Sequence, residues 1–261
     1  MPTSFSFRLL AGAVLACAAL SPALAADKPI RVILVGDSTM ATRSGYGDAL
    51  CQRFVPEVKC INLARGGRSS GSFRAEGRWD EVQSLLRDSA AYSASYVLVQ
   101  FGHNDQPGKP GRSTDLVTQF PANMARYASE VKELGGVPVL VTPLTRRSFR
   151  GEYLHDDLAP WSAATRRVAA EQKVALLDLN AMSATAVQKM GSAEADTLAQ
   201  EAPPAKPAAN ASSAATEPQG TPKSAFDRTH VGPKGAAFFA GMVAGELQRL
   251  IPSIGKWMRQ P

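Results

Sequence analysis

Five short, predominantly apolar runs punctuate the chain: Arg31–Val35, Val58–Leu63, Tyr96–Phe101, Val137–Val141 and Val174–Asp178. Runs of this length, rich in β-branched residues, read as strands buried on both faces. A segment with apolar residues at helical spacing follows each one, at 47–54, 79–86, 120–134, 161–172 and 180–190. Strand alternating with helix in this way predicts a five-stranded parallel sheet covered on both faces, an α/β fold. A last helix is expected over Pro233–Leu250. Its proline suits a first turn, and Phe238, Phe239, Met242, Val243 and Leu247 form the stripe that packs back on the sheet.

Two stretches fall outside this pattern. Residues 191–225 hold eleven Ala and five Pro, with Leu198 as the one large apolar side chain. Such a segment buries too little surface to offset the entropy of ordering it, so a disordered insertion within a single domain over 26–261 is expected. At the other end, Arg8 precedes an apolar run from Leu9 to Leu20, and Ala23-Leu24-Ala25 closes it. A positive start, a short apolar stretch and a small-x-small ending describe a secretory signal peptide over 1–25, and hence a periplasmic or secreted protein. A lipoprotein anchored through Cys17 is the second reading. No later apolar run is long enough to insert stably in a membrane.

Export leaves Cys51 and Cys60 in an oxidising compartment, where a short-loop bridge is feasible; two buried free thiols are the alternative. Lys and Arg number 29 against 23 Asp and Glu, for a formal charge of +6. The charges are scattered, without a basic stripe, so nucleic acid is not the expected partner. A monomer is expected.

Ligands of open parallel sheets bind beyond the carboxyl ends of the strands, so the polar residues there carry the functional signal. Gly36-Asp37-Ser38-Thr39 follows the first run, and Arg65-Gly66-Gly67-Arg68-Ser69-Ser70 the second. Gly102-His103-Asn104-Asp105-Gln106 follows the third, and Asp227-Arg228-Thr229-His230 precedes the last helix. Singly these are helix caps and turns. Together they supply acyl-transfer chemistry: a hydroxyl (Ser38), a base titrating near neutrality (His230), and a carboxylate to orient its ring (Asp227). Gly67 allows close approach of a backbone N–H to an oxyanion, and Asn104 adds an amide donor.

The four blocks resemble those of the SGNH (GDSL-type) esterases, in the same order and each after the corresponding strand. The wording Gly-Asp-Ser-Thr-Met-Ala (36–41), Gly-Arg-Ser-Ser (67–70), Phe-x-x-Glu-Gly-Arg (73–78), Phe-Gly-His-Asn-Asp (101–105) and Asp-x-Thr-His (227–230) is similar to that of rhamnogalacturonan acetylesterases. The resemblance implies a flavodoxin-like three-layer α/β/α sandwich and deacetylation of a plant cell-wall polysaccharide. It also implies Ser38 as nucleophile, His230 as base, Asp227 as its partner, and an oxyanion hole of the Ser38 and Gly67 N–H groups with Asn104. No metal or organic cofactor is required.

Substrate contacts are less well marked. Arg68 is a candidate for a uronate carboxylate and His155 for the cleft wall. Trp79, Tyr153 and Trp161 are candidates for stacking on sugar rings, with core packing the commoner role of such residues. His103 reads as structural or cleft-lining. The rival readings are an esterase for another acetylated glycan or a small ester, a non-catalytic carbohydrate-binding protein on the same fold, and a metal phosphoesterase using Asp37, His103, Asp105 and His230.

Overall fold

The computed structural model describes Met1 and residues 27–202 and 226–259. The chain runs β1 (Ile30–Gly36), α1 (Gly47–Cys51), β2 (Lys59–Asn62), α2 (Ser72–Ala75), α3 (Arg78–Arg87), β3 (Ala94–Gln100), α4 (Gln119–Glu133) and β4 (Val137–Val141). A hairpin follows, β5 (Phe149–Arg150) with β6 (Tyr153–Leu154), then α5 (Ala159–Gln172), β7 (Ala175–Leu177), α6 (Leu179–Asp196) and α7 (Pro233–Leu250). A short 3₁₀ helix over Pro252–Trp257 ends the described chain.

The five expected strands form one parallel sheet in the order β2-β1-β3-β4-β7. Strand side chains alternate between its faces, as a period of two requires. Val32, Leu34, Leu98, Val139 and Val141 pack with Leu50 of α1, Val187 of α6 and Phe239, Val243 and Leu247 of α7. Ile33, Val35, Val97, Val99 and Leu140 pack with Val82 of α3, Met124 and Val131 of α4 and Val168 of α5. Two cores on opposite faces make the three-layer α/β/α sandwich. The sulfurs of Cys51 and Cys60, nine positions apart, lie at bonding distance, 2.00 Å, and join the end of α1 to β2.

The expectation of disorder from residue 191 onward needs correction at its start. Helix α6 continues to Asp196 beyond a break at Gly191, whose backbone leaves the helical region (φ 76°, ψ 168°). The extension is held by contacts a composition count does not register. Ala195 and Leu198 are buried, Asp196 pairs with Arg228, and Ala199 bridges Val231. The rest of that segment, 203–225, and residues 2–25 of the expected signal peptide lie outside the described residues. Among the described residues no helix is long and apolar enough to cross a membrane.

The order of the sheet sets the position of the site. β1 lies between β2 and β3, so the chain leaves β1 to one side and returns on the other. A crevice opens there, beyond the carboxyl ends of β1 and β3.

Candidate active site

The turn carrying Ser38 is wound tightly on itself. Asp37 Oδ1 accepts hydrogen bonds from the Thr39 N–H (2.9 Å) and hydroxyl (2.8 Å), and the Asp37 carbonyl accepts from the N–H groups of Met40 and Ala41. Glycine is required at its base, because a Cβ on Gly36 would lie 2.8 Å from the Gln100 carbonyl of the neighbouring strand. Beneath the turn runs a buried chain of side chains: the Tyr46 hydroxyl donates to Gln100, and Gln100 to Thr39, each at 2.7 Å. A satisfied buried network of this kind holds a single conformation. Ser38 sits partly exposed on top of it.

His103 is buried and bonds Asp37 Oδ2 through Nδ1 at 3.2 Å. Burial pushes its imidazolium down, with Asp37 opposing, so the ring is neutral at pH 7 and Nδ1 carries the proton. Asp37 is held low despite its burial, chiefly by His103. His103 is thus a support under the turn that carries Ser38. Asp105 is likewise turned inward, accepting from the Ser70 N–H and hydroxyl and from the Thr114 hydroxyl. Burial pushes its carboxyl up to about 6. Among the described residues no group of three or more His, Cys, Asp and Glu is gathered to hold a metal ion.

The second block folds over Ser38: a Cβ on Gly66 would lie 3.8 Å from that of Ser38. Gly67 adopts φ 77°, a left-handed conformation that glycine accepts without steric cost. Asn104 donates one amide hydrogen to the Arg68 carbonyl at 3.0 Å, leaving its second hydrogen uncommitted. Among the described residues, neither the Ser38 N–H nor the Gly67 N–H donates to a protein acceptor. The donors the sequence singles out for an oxyanion are therefore unspent.

His230 Nδ1 meets Asp227 Oδ2 at 2.7 Å. Asp227 Oδ1 also accepts the backbone N–H groups of Thr229 (2.8 Å) and His230 (3.0 Å), so one carboxylate both shapes the turn and orients the ring. Burial works against ionisation of Asp227, but the hydrogen bonds from His230 and Thr229 outweigh it and hold the carboxyl well below the usual carboxylate range. The link to Ser38 is indirect. Ser44 Oγ donates to the Ser38 carbonyl (2.8 Å), and the N–H of Val231, next to His230, donates to the Ser44 carbonyl (3.0 Å). Ser38 Oγ makes no hydrogen bond to His230 among the described residues, a separation common in enzymes without substrate.

The depressed carboxyl carries a pH signature. Its stabilisation is fully present above the ordinary value near 3.8 and is lost as pH falls through the lower folded value. In thermal unfolding, Asp227→Asn is expected to be less stable than wild type above pH about 5, with the gap closing below pH about 4. An equal gap at both ends means that the carboxylate is not held as described.

Two adjacent arginines position this turn, and neither carries a sequence signal. Arg147 is fully buried; its guanidinium donates to the carbonyls of His230 (2.7 Å), Asp227 (3.1 Å) and Thr229 (3.5 Å), and its N–H to that of Arg228 (2.9 Å). Burial pushes its guanidinium down to about 10, still charged at neutral pH. Arg146 spans the three loops of the rim, donating to Asp157, to Gln106 (3.0 Å) and to Thr229 (3.2 Å).

The expected substrate contacts fare unevenly. Arg68 is committed to Glu76 (3.0 Å) and to the Gly66 carbonyl (2.8 Å). His155 lies beside the β5–β6 hairpin, its Nε2 3.0 Å from the Arg150 guanidinium. Trp79 is core, edge-on to Tyr127 and bonded to Glu130, and Trp161 is buried too; Tyr153 alone of the three is exposed, at 76%.

A partly exposed hydroxyl, an aspartate-oriented imidazole and unspent amide donors at the crevice of a doubly wound sheet define the layout of an α/β/α hydrolase. The model of the GDSL-like lipase/acylhydrolase family matches residues 34–237. A rhamnogalacturonan acetylesterase of Bacillus subtilis is 32% identical over 232 residues, covering 85% of this chain and 91% of that protein. A probable rhamnogalacturonan acetylesterase of the same organism is 32% identical over 155 residues, 57% of this chain and 69% of that one. Two solved structures share the fold. Protein YxiM of B. subtilis has a TM-score of 0.65 at 22% identity over 85% of this chain, which spans only 57% of that longer one. An acetylxylan esterase of Geobacillus stearothermophilus has a TM-score of 0.56 at 18% identity, over 88% of this chain and 97% of that one. The chain belongs to the GDSL-like lipase/acylhydrolase family, and it is an ester hydrolase.

Proposed function

We propose that this protein is an exported serine acetylesterase that removes O-acetyl groups from a plant cell-wall polysaccharide, with pectic rhamnogalacturonan as substrate. The observation that carries the reading is the Asp227–His230 pair, at 2.7 Å, on the same rim as Ser38 and two uncommitted N–H donors. The identity of relatives described as rhamnogalacturonan acetylesterases supports the choice of substrate. Export rests on the pattern of residues 1–25.

In this mechanism Asp227 keeps the Nδ1 proton of His230 in place, leaving Nε2 to accept the Ser38 proton as Oγ attacks the acetyl carbonyl. Charge moves onto the carbonyl oxygen and is met by the Ser38 and Gly67 N–H groups and the Asn104 amide. His230 returns the proton to the departing sugar hydroxyl, leaving an acetyl ester on Ser38. Water, deprotonated by the same imidazole, then attacks that ester; acetate leaves and Ser38 recovers its proton.

The test is acetate release from acetylated rhamnogalacturonan, homogalacturonan and xylan. Rhamnogalacturonan is expected to be the fastest, a serine-reactive organophosphate to abolish turnover with its adduct on the peptide containing Ser38, and a chelator to have no effect. Glycan binding without acetate release from any of the three rejects the reading in favour of a binding protein.

A further inference from the structure

A second feature of the rim is a cavity of about 530 Å³ between α2 and the chain from Gly111 to Asn123. Its size falls within the range of about 300–1,000 Å³ usual for small-molecule sites. The wall mixes apolar surface with polar side chains, Ser72, Arg112, Ser113, Thr114, Gln119 and Asn123 among them. The cavity contains neither Ser38 nor His230 but reaches toward Ser38 through the Gly66–Gly67 turn. A Cβ on Gly67 would lie 3.6 Å from Arg112 Nη1, and one on Gly66 3.8 Å from the Ser38 side chain. Nucleophile turn, oxyanion glycines, Arg112 and cavity are therefore continuous.

Arg112 differs from its neighbours in how its charge is used. Along this edge Arg68 is paired with Glu76, and Arg74 with Glu130. Arg112 is half-buried and anchored through its backbone N–H to Lys109. Its guanidinium has no ion pair or side-chain hydrogen bond among the described residues. The loop that carries it is fixed at its neck, where the Thr114 N–H donates to the Asp105 carbonyl at 3.0 Å. A held, uncommitted guanidinium at the wall of a cavity presents a planar fork matched to a carboxylate.

We propose that this cavity takes a sugar of the polysaccharide chain and that Arg112, rather than Arg68, pairs with its uronate carboxylate. The inference rests on the esterase reading for its orientation: the acetylated position lies over Ser38 and the acidic sugar over Arg112. Recognition here selects acidic over neutral acetylated glycans.

The experiment compares wild type, Arg112→Gln and Arg112→Lys on acetylated rhamnogalacturonan oligosaccharides, acetylated xylooligosaccharides and p-nitrophenyl acetate. Arg112→Gln is expected to raise KM for the acidic oligosaccharide about 10–100-fold with kcat little changed, the loss of one charge-assisted pair. The two neutral substrates are expected to be turned over as by wild type, and Arg112→Lys to fall between. Equal effects on acidic and neutral substrates, or none, overturn the assignment. Calorimetric binding of deacetylated galacturonate-containing oligosaccharide to wild type and Arg112→Gln decides the arginine without turnover. Weaker binding by the variant supports it; equal or undetectable binding by both rejects it. An inactive wild type that still shows the binding difference rejects the esterase reading alone.

Discussion

Ser38→Ala lowers kcat/KM for acetate release by about 10⁴–10⁶, the loss that follows when a member of a nucleophile–base pair acting as a unit is removed. The fold is expected to be indifferent to this change. Ser38 Oγ makes no hydrogen bond among the described residues, and the turn is held instead by Asp37, Thr39 and the Ser38 carbonyl. Stability in urea should therefore stay within about 0.5 kcal/mol of wild type, the usual range for a substitution that disturbs no internal contact. His230→Ala should match it in activity, while Asp227→Asn should cost one to two powers of ten less, roughly in line with the lesser role of the orienting acid. Full activity in Ser38→Ala rejects the assignment of the nucleophile. Activity lost together with the cooperative unfolding transition means that the side chain serves the fold.

The second large effect is expected at Arg147, a residue that touches no substrate in this reading. Arg147→Met keeps much of the volume and removes the donors. The carbonyls of Asp227 and His230, now met at 3.1 and 2.7 Å, lose their partner. Asp227 is exposed and His230 partly so, and water takes up part of the loss, so about 1–3 kcal/mol in urea unfolding is expected. Activity should fall as well, by about 100-fold at temperatures where the variant remains folded, because the base is displaced by a fraction of its reach. Arg147→Lys restores one donor group on a compact head and should recover part of both losses. A variant with wild-type kcat and wild-type stability shows that the turn holds itself.

The comparison of Ser38 with Arg147 separates what a sequence displays from what only folding assembles. The strands are legible because a parallel sheet covered on both faces leaves predominantly apolar runs, interrupted at the edge strand β2 by Lys59 and Asn62. All five occur within a few residues of where the pattern puts them. The four polar blocks are legible because their residue types are chemically uncommon at strand ends. Arg146 and Arg147 are not, since two arginines after a strand read as solvated charge and their partners in the His230 turn lie some eighty residues away. Arg68 is ambiguous in sequence for another reason: proximity to Gly67 suggests a ligand contact, and its pairing with Glu76, eight residues on, is not marked by any motif. The end of α6 is hidden for a related reason. Its order comes from Arg228 and Val231, across the segment whose composition argues against order.

Those contacts also bear on how the polypeptide tolerates change. Asp196 grips Arg228, Ala199 bridges Val231, and the Gly232 N–H donates to the Leu198 carbonyl, so the two stems are fastened together before the intervening residues begin. Whatever length of chain joins such stems is a closed excursion, and doubling it costs only about 0.6 kcal/mol of closure entropy. Asp227 and His230 are thereby insulated from that excursion. Relatives are free to shorten, lengthen or rewrite it, and a foreign peptide can be spliced there, while the imidazole keeps its aim.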